Sequence, residues 1–310
     1  MWLTELRTEA APPAAKLSTS LEAAGTVNSQ KIVPPHHSGF KATQVPVLGP
    51  RYSLIHLSRL MSPLTAIPVP GIGEIRPGDS IPDIIHAAMT RARIPFRRGD
   101  ILVVTHKIVS KAEGQIIALD EVRPRAAARR RAQLHNLDAR VVELGLAQAA
   151  RVVRNRRSVL ITETPHGFVC ANSGVVVSNV DGGHSAVLLP RDPDKSAQRI
   201  HGALRRRLGF AVPVIITDTF GRPWREGLAE AAIGVAGMKA FRDYRAQRDP
   251  YGYPLRVSLE AAADELAGMA GLACGKLSRM PACIIRGFAY EPGRGRGRDL
   301  IRPAKRDLFR

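Results

Sequence analysis

From about position 64 onward the apolar residues fall into a βα rhythm. Residues 64–69 (LTAIPV) are a short apolar run closed by Pro70-Gly71 and predict a strand. Asp79-Ser80 then precede Ile81, Ile84, Ile85 and Ala88, the spacing of a capped helix over 81–92. Gly99-Asp100 turn into Ile-Leu-Val-Val-Thr, whose β-branched run predicts a buried strand at 101–105. A second strand is predicted at 108–111. The Arg/Ala run at 123–131 favours helix, and 138–153 predicts a clearer amphipathic helix. Strands are predicted at 158–162, 167–170 and 186–189, followed by a basic helix over 195–208. VPVIIT at 212–217 is the strongest buried-strand signal in the chain. A strand at 255–259, an Ala-rich helix at 262–274 and a strand at 282–286 complete the pattern. The order predicts a mixed α/β fold, with no internal repeat.

The first sixty residues break this rhythm. They hold Ala-Pro-Pro, Pro-Pro-His-His and scattered Ser and Gly without a sustained period. That composition reads as a flexible N-terminal extension over 1–60, ahead of a folded domain over 61–310. Met61 opens a stretch that looks like a natural start.

Composition narrows the function classes. A chain of 310 residues with 45% hydrophobic positions can bury a real core. Lys plus Arg outnumber Asp plus Glu by 46 to 27, a net charge of +19. That excess favours anionic partners: nucleic acid, phosphate-rich metabolites or an acidic surface. Aromatics are only 5%, which argues against a base-stacking platform. No helix-turn-helix, zinc-finger or RNP-like motif is visible, so a polyanion-binding protein stays a minor alternative. The three cysteines form no CxxC, so neither a disulfide framework nor a structural zinc site is expected. No apolar run approaches the ~20 residues of a membrane span, and no secretory leader is visible. The expected compartment is the cytoplasm.

The two common nucleotide fingerprints, GxxxxGKS/T and a strand-placed GxGxxG, are absent. Polar clusters at predicted strand ends remain. THKIVSKAEG carries Lys107, Ser110 and Lys111 beside a Gly turn; a lysine there can hold phosphate, or be a solvated basic end. ANSGVVVSNVDGG (171–183) packs Asn, Ser and Gly into tight turns suited to a ligand or to an ordinary hairpin. TDTFGRPWREG is the densest signal. Asp218 and Thr219 end a buried strand, where carboxylate and hydroxyl suit Mg²⁺ or Mn²⁺. Arg222 and Arg225 follow at once and could meet phosphate or carboxylate in forked pairs. FRDYRAQRDPYG (241–252) reads equally well as a salt-linked loop. In ACGKLSRMP (273–281) the glycine reads best as a helix C-cap.

In this order the segments resemble the coenzyme F-420-0:L-glutamate ligase family, the gamma-glutamyl ligases of the deazaflavin cofactor. The carriers are PGIGEIRPGDSI, GDILVVTHKIVSKAEG, SGVVVSNVDGG, VIITDTFGRPWREG, AIGVAGMKAFRDYRAQRDPYG, ADELAGMAGLACGK and RDLIRPAKRDLF. The resemblance spans about residue 64 to the C-terminus. It implies an unusual α/β fold lacking the common nucleotide motifs, and a homodimer. It also implies a reaction of GTP, L-glutamate and F-420-0, with Mg²⁺ or Mn²⁺ and K⁺ as ions. By matched position, nucleotide contacts would fall on Ile72, Gly73, Glu74, Ile75, His106, Lys111 and Asn179. The loop of Cys274, Gly275, Lys276, Leu277 and Ser278 would add more. Metal ligands would include Asp218 and Thr219, and catalysis would draw on Asp218, Lys111, Arg222 and Arg225. No membrane and no nucleic acid would be partners.

One departure stands out. The family pattern places a metal-binding Asp where this chain has Val176, and usually Ser or Gln where it has His106. Three accounts stay open: Asp181, five residues on, replaces the lost ligand; one metal suffices; or the chain is a paralogue glutamylating another cofactor.

Overall fold

A computed structural model describes residues 63–307. The extension expected over 1–60 lies outside the described residues. In chain order the elements are β1 (Thr65–Pro68), α1 (Ile81–Arg91), β2 (Ile101–Thr105), α2 (His106–Ala112), β3 (Ile116–Ala118), α3 (Ala126–His135) and α4 (Ala139–Ala147). Next come β4 (Arg151–Arg156), β5 (Val159–Glu163), β6 (Val169–Ala171), β7 (Ser185–Val187) and α5 (Pro193–Leu208). The chain closes with β8 (Val214–Arg222), β9 (Arg225–Ala236), β10 (Arg242–Asp243), β11 (Leu259–Glu260), α6 (Ala262–Cys274) and β12 (Ala282–Arg286).

The main sheet has the order β1-β12-β2-β8-β9. Within it β2 and β8 run parallel and the other neighbours antiparallel. Both faces are covered, so its strands are apolar on both sides. Leu102, Val104, Val214, Ile216 and Ile284 point into one core with Ile85 and Met89 of α1 and Ile200 and Leu204 of α5. Ile101, Val103, Ile215, Cys283 and Ile285 point the other way, onto Ala263, Leu266, Ala267 and Ala270 of α6. Two small sheets, β3-β7 and β4-β5-β6, make up a side region. There α4 packs over Leu119, Val175, Ala186 and Leu188. The fold is mixed α/β, as the pattern predicted.

Residues 108–111 are helical, not a strand. Ile108 and Val109 are buried against the main core from one side of α2. His106 and Ser110 meet one helical turn apart, at 3.3 Å. This packing overrides the β-branched preference. The helix predicted over 138–153 stops at Ala147, and Arg151–Arg156 instead pairs with β5. Of 255–259 only Leu259 pairs in a strand, with Asp243. The strand predicted to end at 217 continues to Arg222 and turns back into β9, which the pattern did not show.

Just before Asp218 the β8–β9 ladder carries a bulge. Ile216 pairs with Gly234 but Thr217 pairs with Ala232, leaving Ile233 as the extra residue. Two carboxylates satisfy the amides around it. Ala232 N–H donates to Asp264 Oδ1 at 2.8 Å, and Val235 N–H to Asp194 Oδ1 at 3.0 Å. A side chain on Gly234 would run into the carbonyl of Pro193, so α5 reaches the bulge only over a glycine.

Candidate functional site

Thr105 and Thr217 pair at the carboxyl end of the parallel strands, where open α/β sheets bind ligands. Beyond that point β2 enters α2, while β8 runs on with β9 alone as a two-stranded arm. The loop before β12 arrives at the same edge, since Thr105 N–H donates to Pro281 O at 2.9 Å. The 178–180 segment is tied there too. Lys107 Nζ donates to Ser178 O at 3.2 Å, Lys111 Nζ to Val180 O at 3.1 Å, and Asn179 Nδ2 to Lys276 O at 3.4 Å. Glu74 reaches in from the loop after β1 and pairs with Lys111.

The polar groups straddle the end of β8, because successive residues of a strand face opposite sides. On the α2 side, Asp218 Oδ1 lies 3.3 Å from His106 Nε2. The two residues are 7% and 1% exposed. The contact is not aligned as a hydrogen bond, so His106 Nε2 is a buried nitrogen without a hydrogen-bond partner. Asp218 Oδ1 instead accepts the Thr219 N–H at 2.7 Å. On the α6 side, Thr219 Oγ1 donates to Glu230 Oε1 at 2.7 Å, directly across the ladder. Lys276 Nζ donates to both, at 2.5 Å to Thr219 Oγ1 and 2.8 Å to Glu230 Oε1.

The charges here sense one another. Burial holds Lys107 below the ordinary lysine value, and the neighbouring Lys276 charge adds to this, while Asp218 and Glu230 oppose it. Behind Asp218, burial and then the Asp218 charge push the Cys170 thiol up to about 12.

The edge therefore gathers His106, Lys111, Glu74, Asn179, Lys276, Asp218 and Thr219, all marked in the sequence. Other marked residues lie differently. Arg222 and Arg225 pair with each other at the exposed tip of the arm, and Arg222 Nη2 donates to Glu226 O at 3.0 Å. Four steps along the extended strand separate Arg222 from Asp218, about 13 Å at ~3.3 Å each. They are not beside the carboxylate, because hairpin pairing carries β8 outward where the sequence suggested a loop. Ile75 is buried in the main core and Ile72 packs against it, while Gly73 is exposed. Gly275 caps α6 with φ +63°, Cys274 Sγ donates to Ala282 O at 3.6 Å, and Ser278 Oγ bonds Cys274 O. Leu277 is exposed. Asp181 is exposed and accepts Ser185 N–H at 2.8 Å within its own turn. Val176 exchanges both backbone bonds with Val187.

Sequence reasoning missed Glu230, because nothing in its Ala-rich stretch announces a strand. It placed Lys107 on a strand; in α2, Lys107 and Lys111 share one face at i and i+4.

Among the described residues no group of three or more His, Cys, Asp or Glu could hold a metal by itself. Asp218 nevertheless offers hard oxygens at an edge that carries three ammonium groups. Mg²⁺ is commonly held by one or two carboxylates plus substrate phosphates, and Asp218 fits that arrangement.

Residues 71–287 match the F420-0:gamma-glutamyl ligase family. The chain is similar to a coenzyme F420:L-glutamate ligase of Methanothermobacter thermautotrophicus, 41% identical over 80% of this chain and 99% of that protein. It is similar to one of Methanopyrus kandleri at 42%, over 78% of this chain and 96% of the relative. It is also similar to one of Archaeoglobus fulgidus at 36%, over 78% and 95%.

Proposed function

The chain belongs to the F420-0:gamma-glutamyl ligase family, and on that premise we propose that it joins L-glutamate to the carboxylate of F-420-0 at the expense of GTP. The observation that carries the reading is the meeting of Lys107, Lys111 and Lys276 with Asp218 and Glu230 at one sheet edge.

The chemistry explains the need for such an edge. A carboxylate does not accept an amine at neutral pH, because oxide is too poor a leaving group. Transfer of the terminal phosphoryl group of GTP to the carboxylate gives an acyl phosphate and GDP. The glutamate amine then displaces phosphate, forming the amide and losing a proton. Phosphoryl transfer is chiefly positioning and charge neutralisation. Lys111 and Lys276 supply cations from opposite sides of β8, and Lys107 lies between the acidic and basic groups. His106 Nε2 lies 3.3 Å from Asp218 Oδ1 and closes that side of the carboxylate to solvent. The buried faces of α2 and β8 keep water from that flank. Asp218, with phosphate oxygens, would hold a divalent cation, whose chemistry is to neutralise the nucleotide's charge.

The test is purified protein with F-420-0, GTP, glutamate and Mn²⁺. Glutamate-dependent GDP release and a product heavier by one glutamate residue are expected; absence of both sinks the reading. Val176 favours a second reading, the same ligase chemistry on another carboxylate acceptor. A panel of acceptors read by nucleotide turnover separates the two. Val176→Asp raising activity strongly on F-420-0 would show that the lost carboxylate matters.

A further inference from the structure

We propose that Glu230 is a positioning residue, one that fixes the Lys276 ammonium where phosphate oxygens of the nucleotide meet it. The inference rests on the nucleotide-dependent reading above.

Five observations converge on it. The Glu230 side chain is only 13% exposed, whereas Lys276 is 62% exposed, so the carboxylate is the anchor and the lysine the free arm. One oxygen, Oε1, accepts from both Thr219 Oγ1 and Lys276 Nζ. An ammonium has three donors, and two are used here on Glu230 and Thr219. The third is left for an incoming anion. The surface of α6 is notched for this carboxylate: a Cβ on Gly271 would overlap Glu230 Cγ. The backbone of Lys276 is fixed separately, through Asn179 Nδ2 to Lys276 O. Lys276 is thus held at both ends, and a long flexible side chain loses its freedom before the ligand arrives.

With Lys276 62% exposed, solvent screens the pair and it adds little to folding, so the effect belongs in binding. GTP affinity in the presence of Mn²⁺ is measured by calorimetry, beside KM and kcat, for the wild type, Glu230→Gln, Lys276→Gln, their double variant and Gly271→Ala. Glu230→Gln is expected to raise Kd and KM for GTP about tenfold, the scale of a lost bond to a charged group, with kcat within about twofold. The double variant should bind no worse than Lys276→Gln alone, because Glu230 acts through that lysine. Gly271→Ala keeps every charge, displaces the carboxylate and should weaken GTP binding too. Wild-type affinity in Glu230→Gln, or losses that multiply in the double variant, would overturn the proposal. A wild type that does not bind GTP would instead overturn the nucleotide reading and the inference with it.

Discussion

Lys107 carries its charge under tension between burial and its acidic neighbours. As a cation it can bind phosphate only while protonated, and its pKa in the fold lies below the ordinary lysine value. GTP affinity should therefore fall as pH rises through that lowered value, earlier than for a free lysine. Lys107→Arg keeps the charge at every accessible pH and should move the fall to higher pH. Superimposable pH profiles for the two proteins would remove Lys107 from the site. At this scale the sequence was most informative where side-chain chemistry is self-announcing. Asp218-Thr219 and Lys111 were visible as a carboxylate, a hydroxyl and a cation beside predicted strand ends. Glu230 was invisible, since its role comes from lying opposite Thr219, which is a property of pairing.

Elements with strong local signals were legible to the residue. The strand at 101–105, the helix at 262–274 and the strand at 282–286 have the bounds that their β-branched or Ala-rich runs predicted. β9 was not legible, because Ala, Glu and Gly have little strand preference and the ladder with β8 makes the strand. Asp264 shows how such a strand is held. Burial raises its carboxyl above the usual carboxylate range, while the bond from Ala232 N–H opposes the shift. A carboxyl raised in the fold favours the folded state most when protonated, and that contribution is lost as pH rises through the folded value. Asp264→Asn keeps an acceptor for Ala232 and should flatten this part of the stability–pH curve. Asp264→Ala should cost about 1–3 kcal/mol in denaturant melts, by leaving a buried N–H unpaired. The exposed arginines of the arm behave differently. Arg222→Ala with Arg225→Ala should leave stability within about 0.5 kcal/mol, so any loss of turnover with unchanged melting reports on substrate.

Over the whole molecule the charge of +19 is spread widely. Part of it is matched at the surface, as in Arg125–Glu143, Arg151–Glu163, Arg199–Glu113 and Arg207–Asp83. The cations at the sheet edge are few, but the surplus belongs to a molecule whose proposed substrates are all anions. Long-range attraction should speed their arrival and should weaken as screening shortens from about 30 Å at 0.01 M salt to about 10 Å at 0.1 M. Steady-state kinetics across that range should show kcat/KM for GTP falling severalfold with kcat steady. A flat profile would mean the surplus charge does no steering.

Ile233 sets a counting rule for this lineage. If every residue between Glu230 and Gly234 paired evenly, Thr217 would meet Ile233 and Glu230 would come opposite Phe220, on the other face of the sheet from Thr219 and Lys276. The extra residue at the bulge therefore sets which face Glu230 takes, while Gly234 beside it must stay without a side chain to admit α5. When related sequences are aligned, a one-residue gap within 230–234 marks a strand that keeps Glu230 opposite Thr219 without the bulge.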